Sequence, residues 1–360
     1  MRKTILPVSF FLGANNKAGY CSLFSEIYNP FEEGTHIILK GGPGTGKSTL
    51  MKKIASKSES KGYFTERGYC GADPSSLDAV IVPEINFSVF DGTAPHTFDP
   101  KMPGVSEHIV ELGVAWNREK LRKNINSIGR LMKDNSLQHK RVADYLKIAA
   151  QIERESASLC LSFTNEEKLS RFCDRTARRL IPSRKGIPTG DVKRRFLSAV
   201  SPEGVVVQQE TVVALSEKII TLEDEFSAVA PVILEYFGAV AVANGYDVYK
   251  CYCPLQPEFK LEHLIIPELK LSFFTEKSYH HSVDDGEKTI HASRFYNNEL
   301  LKANRQKLTA QKKAKKELVD EAVKRLIIAK GIHDRLEEYY IEATDFSIIN
   351  EIGERLLEAI

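Results

Sequence analysis

Apolar positions along the chain change their spacing in one order up to about residue 165, and the same order returns after residue 194. Residues 10–14 read as a short strand, and Leu23, Phe24 and Ile27 give residues 22–28 the spacing of an amphipathic helix. A strand is predicted over 35–40, then a glycine-rich turn, then a helix from Lys47 to about Ser58. Residues 63–70 read as the next strand, and the apolar runs 79–82 and 86–90 follow, parted by Pro83 and Glu84. Beyond Val110 the period becomes helical: Leu112, Trp116, Leu121, Ile125, Ile128 and Met132, then Val142, Leu146, Ile148 and Ile152. The pattern predicts a small α/β unit carrying a helical hairpin.

The chain contains this unit twice. Phe11, Leu12, Ala14 and Gly19 match Phe196, Leu197, Ala199 and Gly204, and Tyr69, Cys70 and Pro74 match Tyr252, Cys253 and Pro257. Ile81, Pro83 and Glu84 match Ile265, Pro267 and Glu268; Asn117 and Glu119 match Asn297 and Glu299; Leu146 and Ala149 match Leu326 and Ala329. The offset stays between about 180 and 185, which order-preserving duplication explains and chance does not. Two copies are therefore expected at about 8–165 and 194–350. In domain terms this means a half over 1–180, a linker over 181–193 punctuated by Pro182, Gly186, Pro188 and Gly190, and a half over 194–360.

Composition narrows the class only modestly. The 360 residues carry a net charge of +2 and are 42% hydrophobic and 27% charged, which suits a globular protein with sizeable cores. No basic excess indicates nucleic acid. Met1–Thr4 and the apolar run behind them resemble a secretory leader, but Arg195–Val200 repeats part of that pattern in mid-chain, so a strand is the better reading. No run approaches the ~20 apolar residues of a membrane span, and six scattered cysteines without zinc-type spacing point to a reducing compartment, so the cytoplasm is expected. Cys251 and Cys253, one residue apart, would share a strand face and read as packing. Nothing in the sequence sets an oligomeric state.

The candidate chemistry lies at Gly41, Gly42, Pro43, Gly44, Thr45, Gly46, Lys47, Ser48 and Thr49, a G-x-x-x-x-G-K-[ST] segment between a predicted strand and a predicted helix. Glycines let backbone N–H groups turn inward on phosphate oxygens, and the helix start adds unpaired donors and the positive end of its dipole. Lys47 would sit on the β- and γ-phosphates, and the Ser48 hydroxyl would ligate Mg²⁺. Asp91, after the run 86–90, is the expected carboxylate for Mg²⁺. Glu84 is a candidate base for orienting water, and Asp73 could either meet the metal or cap a turn.

The second copy serves as an internal control. Where the first has its glycines it reads Leu222-Glu223-Asp224-Glu225-Phe226-Ser227-Ala228-Val229-Ala230-Pro231, with the lysine position at Val229 or Ala230. Its carboxylates would repel a triphosphate, so one nucleotide site per chain is expected, with the inactive half docked on the working one. Asp91 becomes Thr275 and Asp73 becomes Gln256, lost along with the loop, whereas Glu84 is kept as Glu268 and so looks structural. His96 aligns with His280, which argues against an essential histidine. The basic run Arg171, Arg175, Arg178, Arg179, Arg184 and Lys185 could clamp phosphate or form a solvated face, as could Arg118 and Arg122.

Residues 40–49, Ile81-Val82-Pro83-Glu84 and Asp91-Gly92-Thr93-Ala94-Pro95-His96, repeated in two halves, resemble a bacterial family of duplicated, tandem-half P-loop ATPase-like proteins. The resemblance covers nearly the whole chain and implies an α/β P-loop NTPase fold with a mostly parallel sheet, duplicated, and ATP with Mg²⁺ as ligands. That family usually carries a phosphate loop in each half; here the second copy lacks it, and residues 275–280 read Thr-Glu-Lys-Ser-Tyr-His. The family supplies no settled reaction. ATP hydrolysis or ATP-driven switching is the leading expectation, with a small-molecule or nucleotide kinase, or a nucleotide-stabilised scaffold, as the alternatives.

Overall fold

The structure, a computed structural model, describes residues 7–94, 97–184, 186–276, 288–358 and 360. The Met1–Thr4 leader-like segment, His96, His280 and Lys185 lie outside the described residues. In the first half β1 (Val8–Phe11) runs into a hairpin of β2 (Gly13–Asn16) and β3 (Gly19–Ser22), followed by β4 (Thr35–Lys40) and α1 (Lys47–Ser60). Then come β5 (Glu66–Tyr69), β6 (Leu77–Val82), β7 (Phe87–Asp91), β8 (Glu107–Glu111), α2 (Arg118–Lys123), α3 (Ile125–Ser162) and α4 (Glu166–Leu180). The second half repeats the order with β9 (Val192–Arg195), β10 (Ser198–Ser201), β11 (Gly204–Val207), α5 (Gln209–Leu215), β12 (Lys218–Glu223) and α6 (Ala230–Ala243). It closes with β13 (Val248–Tyr252), β14 (Leu261–Ile266), β15 (Leu271–Glu276), β16 (Lys288–His291), α7 (Asn298–Ala343) and α8 (Phe346–Glu358).

The two six-stranded sheets have the same topology. Their orders are β1-β5-β6-β7-β4-β8 and β9-β13-β14-β15-β12-β16. In each, β6 or its counterpart β14 is the one strand antiparallel to both neighbours, and the other pairings are parallel. The sheets are thus mixed and mostly parallel. Registers also agree: Leu39 pairs with Asp91 in one sheet and Leu222 with Thr275 in the other, so Asp91 and Thr275 occupy equivalent places.

Local expectations met mixed outcomes. Residues 22–28 are not an amphipathic helix. Ser22 closes β3, and only Phe24–Glu26 turn, as a 3₁₀ helix, although Leu23, Phe24 and Ile27 do enter the core. The predicted strand 10–14 is split between β1 and β2, and β8 was masked by the onset of helical spacing. The stretch Pro83–Ile85 is a 3₁₀ turn ending on Asn86 in the left-handed region (φ 44°).

The long helices do not fold back onto their own half. At ~1.5 Å per residue, α3 and α7 reach roughly 57 and 69 Å, and they run antiparallel, with Ser156 bonded to Gln311 and Lys120 to the carbonyl of Glu342. Helix α3 carries α4 to the second sheet. There Leu169, Phe172, Cys173 and Ala177, at the i, i+3, i+4, i+8 spacing of an amphipathic face, join Ile233, Leu234 and Phe237 of α6. Helix α7 carries α8 back to the first sheet, where Leu356 and Leu357 pack beside Leu50, Met51 and Ile54 of α1. The crossings are stitched by backbone bonds at both ends. Asn117 N–H donates to Ala343 O (2.7 Å) and Asp345 N–H to Ala115 O (2.9 Å); Asn165 N–H donates to Phe295 O (2.8 Å) and Asn297 N–H to Phe163 O (2.9 Å). Each spatial unit is therefore one half's sheet closed by the other half's last helix.

Between the sheets, Phe11 and Phe196 exchange backbone hydrogen bonds. Beside them the buried Glu66 accepts from Arg195 Nε (3.0 Å) and Nη2 (2.8 Å) and from the Tyr249 hydroxyl (2.5 Å). Burial opposes ionisation of Glu66, but Arg195, Lys193 and the Tyr249 hydrogen bond outweigh it and hold its carboxyl below the usual range. Removing one partner of such a pair strands a buried charge, which costs about 3–5 kcal/mol. Arg195→Ala should lower the unfolding free energy in urea by about that much, whereas a loss near zero would mean that water compensates Glu66.

A candidate phosphate site beneath the exchanged helix

Strand β4 lies between β7 and β8 and is parallel to both, so the glycine loop at its C-terminal end opens beside the end of β7, where Asp91 stands. Apolar residues on both faces bury the strand (Ile37, Ile38 and Leu39), and the loop turns through Gly44 (φ 68°) and Gly46 (φ 85°) into α1. Both angles favour glycine.

Lys47 closes back on the loop. Its ammonium donates to Gly41 O (2.7 Å) and Gly42 O (2.8 Å) and lies 3.5 Å from Asp91 Oδ2. Asp91 Oδ1 accepts from Thr93 N–H (2.8 Å), and the Thr93 hydroxyl donates to Gly41 O (2.8 Å), so Asp91-Gly92-Thr93 forms one turn that clamps the loop's entry. The Ser48 hydroxyl accepts from Leu77 N–H (2.9 Å), which ties the first turn of α1 to β6. Thr45 Oγ1 donates to Gly42 O (2.9 Å).

The outer face of the loop is covered by α7 and by the turn before α2. Gly44 N–H donates to Glu337 Oε1 (3.2 Å), a residue 293 positions away. A Cβ on Gly44 would stand 2.8 Å from Ile341 Cγ1, and one on Gly42 would stand 2.8 Å from Tyr340 Cε1 and 3.2 Å from Trp116 Cζ2. Gly44 thus serves close approach to α7 as well as backbone freedom, and Gly42 serves close approach. On the same turn of α7, His333, Asp334 and Glu337 bring possible ligand atoms within 4.8 Å of one another, but Lys330 already holds Asp334 (2.5 Å) and Gly44 holds Glu337. A cleft of about 390 Å³ adjoins Trp116, where Lys120 is bonded to the Glu342 carbonyl and Asn117 and Asp345 are engaged in the stitching.

Of the residues singled out in the sequence, 41–48 and Asp91 come together, and Thr49 follows in the first turn of α1. Glu84 does not join them. It lies in the β6–β7 turn, before β7 begins at Phe87, while Asp91 ends that strand; the strand alone, four residue steps at ~3.3 Å, spans roughly 13 Å. Its carboxylate instead accepts from Phe64 N–H (2.8 Å), a structural tie. Asp73 caps its own turn through Ser75 and Ser76 and sits 3.8 Å from Lys330. Burial opposes its charge, but the two serines and Lys330 prevail and hold its carboxyl below the ordinary range. The arginines 171, 175, 178 and 179 ride on the exposed face of α4, over the second sheet, and Arg184 pairs with Glu268 and stacks on Tyr246 (3.8 Å). Arg118 and Arg122 are exposed on α2. None of these forms a clamp on the loop in this arrangement. Cys251 and Cys253 are both buried, as packing requires.

Residues that the sequence left unmarked include Thr93, Glu337, Tyr340 and the indole of Trp116. Thr93 was within reach, since it follows Asp91 in a turn-forming triplet. The α7 residues were not, because helical periodicity does not say which sheet a helix will cover.

The corresponding segment of the second half bonds differently. Helix starts align Lys47 with Ala230, hence Gly41 with Asp224 and Gly44 with Ser227. Ser227 keeps a left-handed backbone (φ 55°) like Gly44, but Val229 (φ −95°) does not follow Gly46. Asp224 is buried, and its Oδ2 accepts from Val229 N–H and Ala230 N–H, both at 2.8 Å, while Oδ1 accepts from the Tyr296 hydroxyl at 3.3 Å. Burial pushes its carboxyl above the ordinary range against those donors. No protein-family model, curated protein or solved structure matches the chain. Asp224→Ala should cost about 1–2 kcal/mol, the usual loss for a helix cap, read as a lower midpoint in thermal unfolding; an unchanged midpoint would mean the α6 start needs no cap.

Proposed function

We propose that the chain binds one nucleoside triphosphate, ATP with Mg²⁺, at residues 41–49 and uses it to drive hydrolysis or a switch in the helix laid over the loop. The observation that carries this reading is the Gly44 N–H bond to Glu337, together with Lys47 turned onto its own loop carbonyls. Phosphate oxygens compete for both the N–H and the ammonium, so nucleotide would displace Glu337 and pull Lys47 outward. The end of α7 and the attached α8 would respond, because both rest on α1 and the loop.

Residues present fit the metal as well. Ser48 offers a hydroxyl at the helix start and Asp91 a carboxylate at the end of the adjoining strand, as a phosphate-bound Mg²⁺ uses. Mg²⁺ would neutralise phosphate charge there, while Lys47 and the loop N–H groups would position the oxygens. In the second half the Asp224 carboxyl takes the α6 N–H donors that a phosphate would need, so a single site per chain is the consistent reading. The kinase alternative is weakened by the placement of the α4 arginines over the other sheet.

Calorimetry of the full chain with Mg-ATP should give a stoichiometry near one, and Lys47→Ala should abolish the heat of binding. Undiminished affinity in Lys47→Ala would sink the site, and a stoichiometry of two would refute the inactive half. Glu337→Ala removes the internal competitor for Gly44 and should tighten ATP binding about 3–10-fold; weaker binding would show that Glu337 assists nucleotide rather than opposing it.

A further inference from the structure

The two halves place an aromatic donor at the same point, and only one of these donors has a partner. Trp116 follows the 3₁₀ turn Leu112–Ala115 and Tyr296 follows the 3₁₀ turn Ala292–Phe295; each bridges the threonine at the end of the opposite long helix, Thr344 or Thr164. In the second half the Tyr296 hydroxyl donates to Asp224, the same carboxyl group that caps the first N–H groups of α6. The acceptor thus lies between a helix start and an aromatic donor.

In the first half Gly41 replaces Asp224, and the aromatic is an indole. Trp116 Nε1 is buried and has no hydrogen-bond partner among the described residues. Its edge faces the loop, since Cζ2, on the same side of the ring as the nitrogen, would touch a Cβ on Gly42 at 3.2 Å. The Tyr340 ring packs against it edge-on with centroids 5.5 Å apart, which leaves little freedom to rotate away. A buried N–H without a partner costs about 1–3 kcal/mol, so a donor held there is set to gain from an acceptor.

We infer that Trp116 is a phosphate-contact residue of the glycine-loop site, its indole N–H donating to a phosphoryl oxygen as the Tyr296 hydroxyl donates to Asp224. This rests on the nucleotide reading above and adds a donor that no phosphate-loop motif contains. It also assigns the exchange of helices a part in binding, because the stitch to Ala343 and Asp345 sets the position of Trp116. Bound phosphate would change the polarity around the indole, and Trp116 is the only tryptophan in the chain. Intrinsic fluorescence therefore reports on the surroundings of this one indole.

The test titrates the full chain with Mg-ATP, reading calorimetry and tryptophan emission together, and compares Trp116→Phe with Trp116→Tyr. Phenylalanine keeps a ring and removes the donor; tyrosine supplies the donor that the second half uses. Wild-type emission should shift on binding. Trp116→Phe should bind about tenfold more weakly with an unchanged unfolding midpoint, as loss of a hydrogen bond to a charged acceptor requires. Trp116→Tyr should recover to within about threefold of wild type. Trp116→Phe binding as tightly as wild type, in a preparation where Lys47→Ala does not bind, would overturn the contact and leave the nucleotide site standing. Equal losses in both variants would overturn it too, by assigning the effect to ring packing. Absence of binding to the wild-type chain would remove the nucleotide reading itself, and the contact with it.

Discussion

The backbone bonds that tie residues 115–117 to residues 343–345, and residues 163–165 to 295–297, are the constraint on which this architecture rests. They fix where each long helix ends, and so which sheet receives the short helix behind it. Neither sheet could bury its helical layer without the exchange. Ile233 and Phe237 would lose Leu169 and Phe172, and Leu50 and Met51 would lose their neighbours on α8. Backbone bonds suit this task because they do not depend on side-chain identity. The two ends could diverge in sequence while keeping one geometry, as Trp116 and Tyr296 have done.

Divergence is greatest at the two loops. Both meet a carboxyl group, but from different sources. In the second half it belongs to the loop itself, at Asp224, buried and reached by two N–H groups of the helix start. In the first half it arrives from the far end of the chain as Glu337, partly exposed and bonded to a single N–H. An acceptor built into the loop stays beside its donors, because Asp224 is only five and six residues from the N–H groups it accepts from. One on the rim of a separate helix can leave by a small movement. The same chemistry thus gives a contact within the loop in one half and a contact between distant segments in the other.

Much of this was legible in the sequence, for identifiable reasons. Duplication showed because residues buried in equivalent sheets, such as Ile81 and Ile265, are constrained alike. The glycine loop and Asp91 showed because their spacing around a strand is dictated by geometry within a few residues. Glu84 was ambiguous for a physical reason: a carboxylate beside Pro83 looks the same whether it lies at the loop end of a sheet or, as here, at the other, and only its retention as Glu268 pointed to a structural role. Residues 22–28 misled because their apolar spacing serves a hairpin and a single 3₁₀ turn. The exchange of helices was hidden altogether. An amphipathic helix like α4 records that it covers something apolar, not which of two near-identical sheets it covers.

One consequence concerns the order in which the protein is made. The glycine loop and Glu337 are separated by 293 residues, and Gly44 is packed against Ile341 on the same distant helix. At about 5–20 residues per second, the loop leaves the ribosome on the order of 15–60 s before the helix that covers it. During that interval the first sheet stands without its exchanged helix, and Leu50 and Met51 of α1 face the solvent or whatever binds them. The second sheet has no such wait, because α4 is synthesised before the strands it will cover. The two halves, alike in the finished molecule, are therefore unequal during synthesis, and the half with the glycine loop is the one exposed.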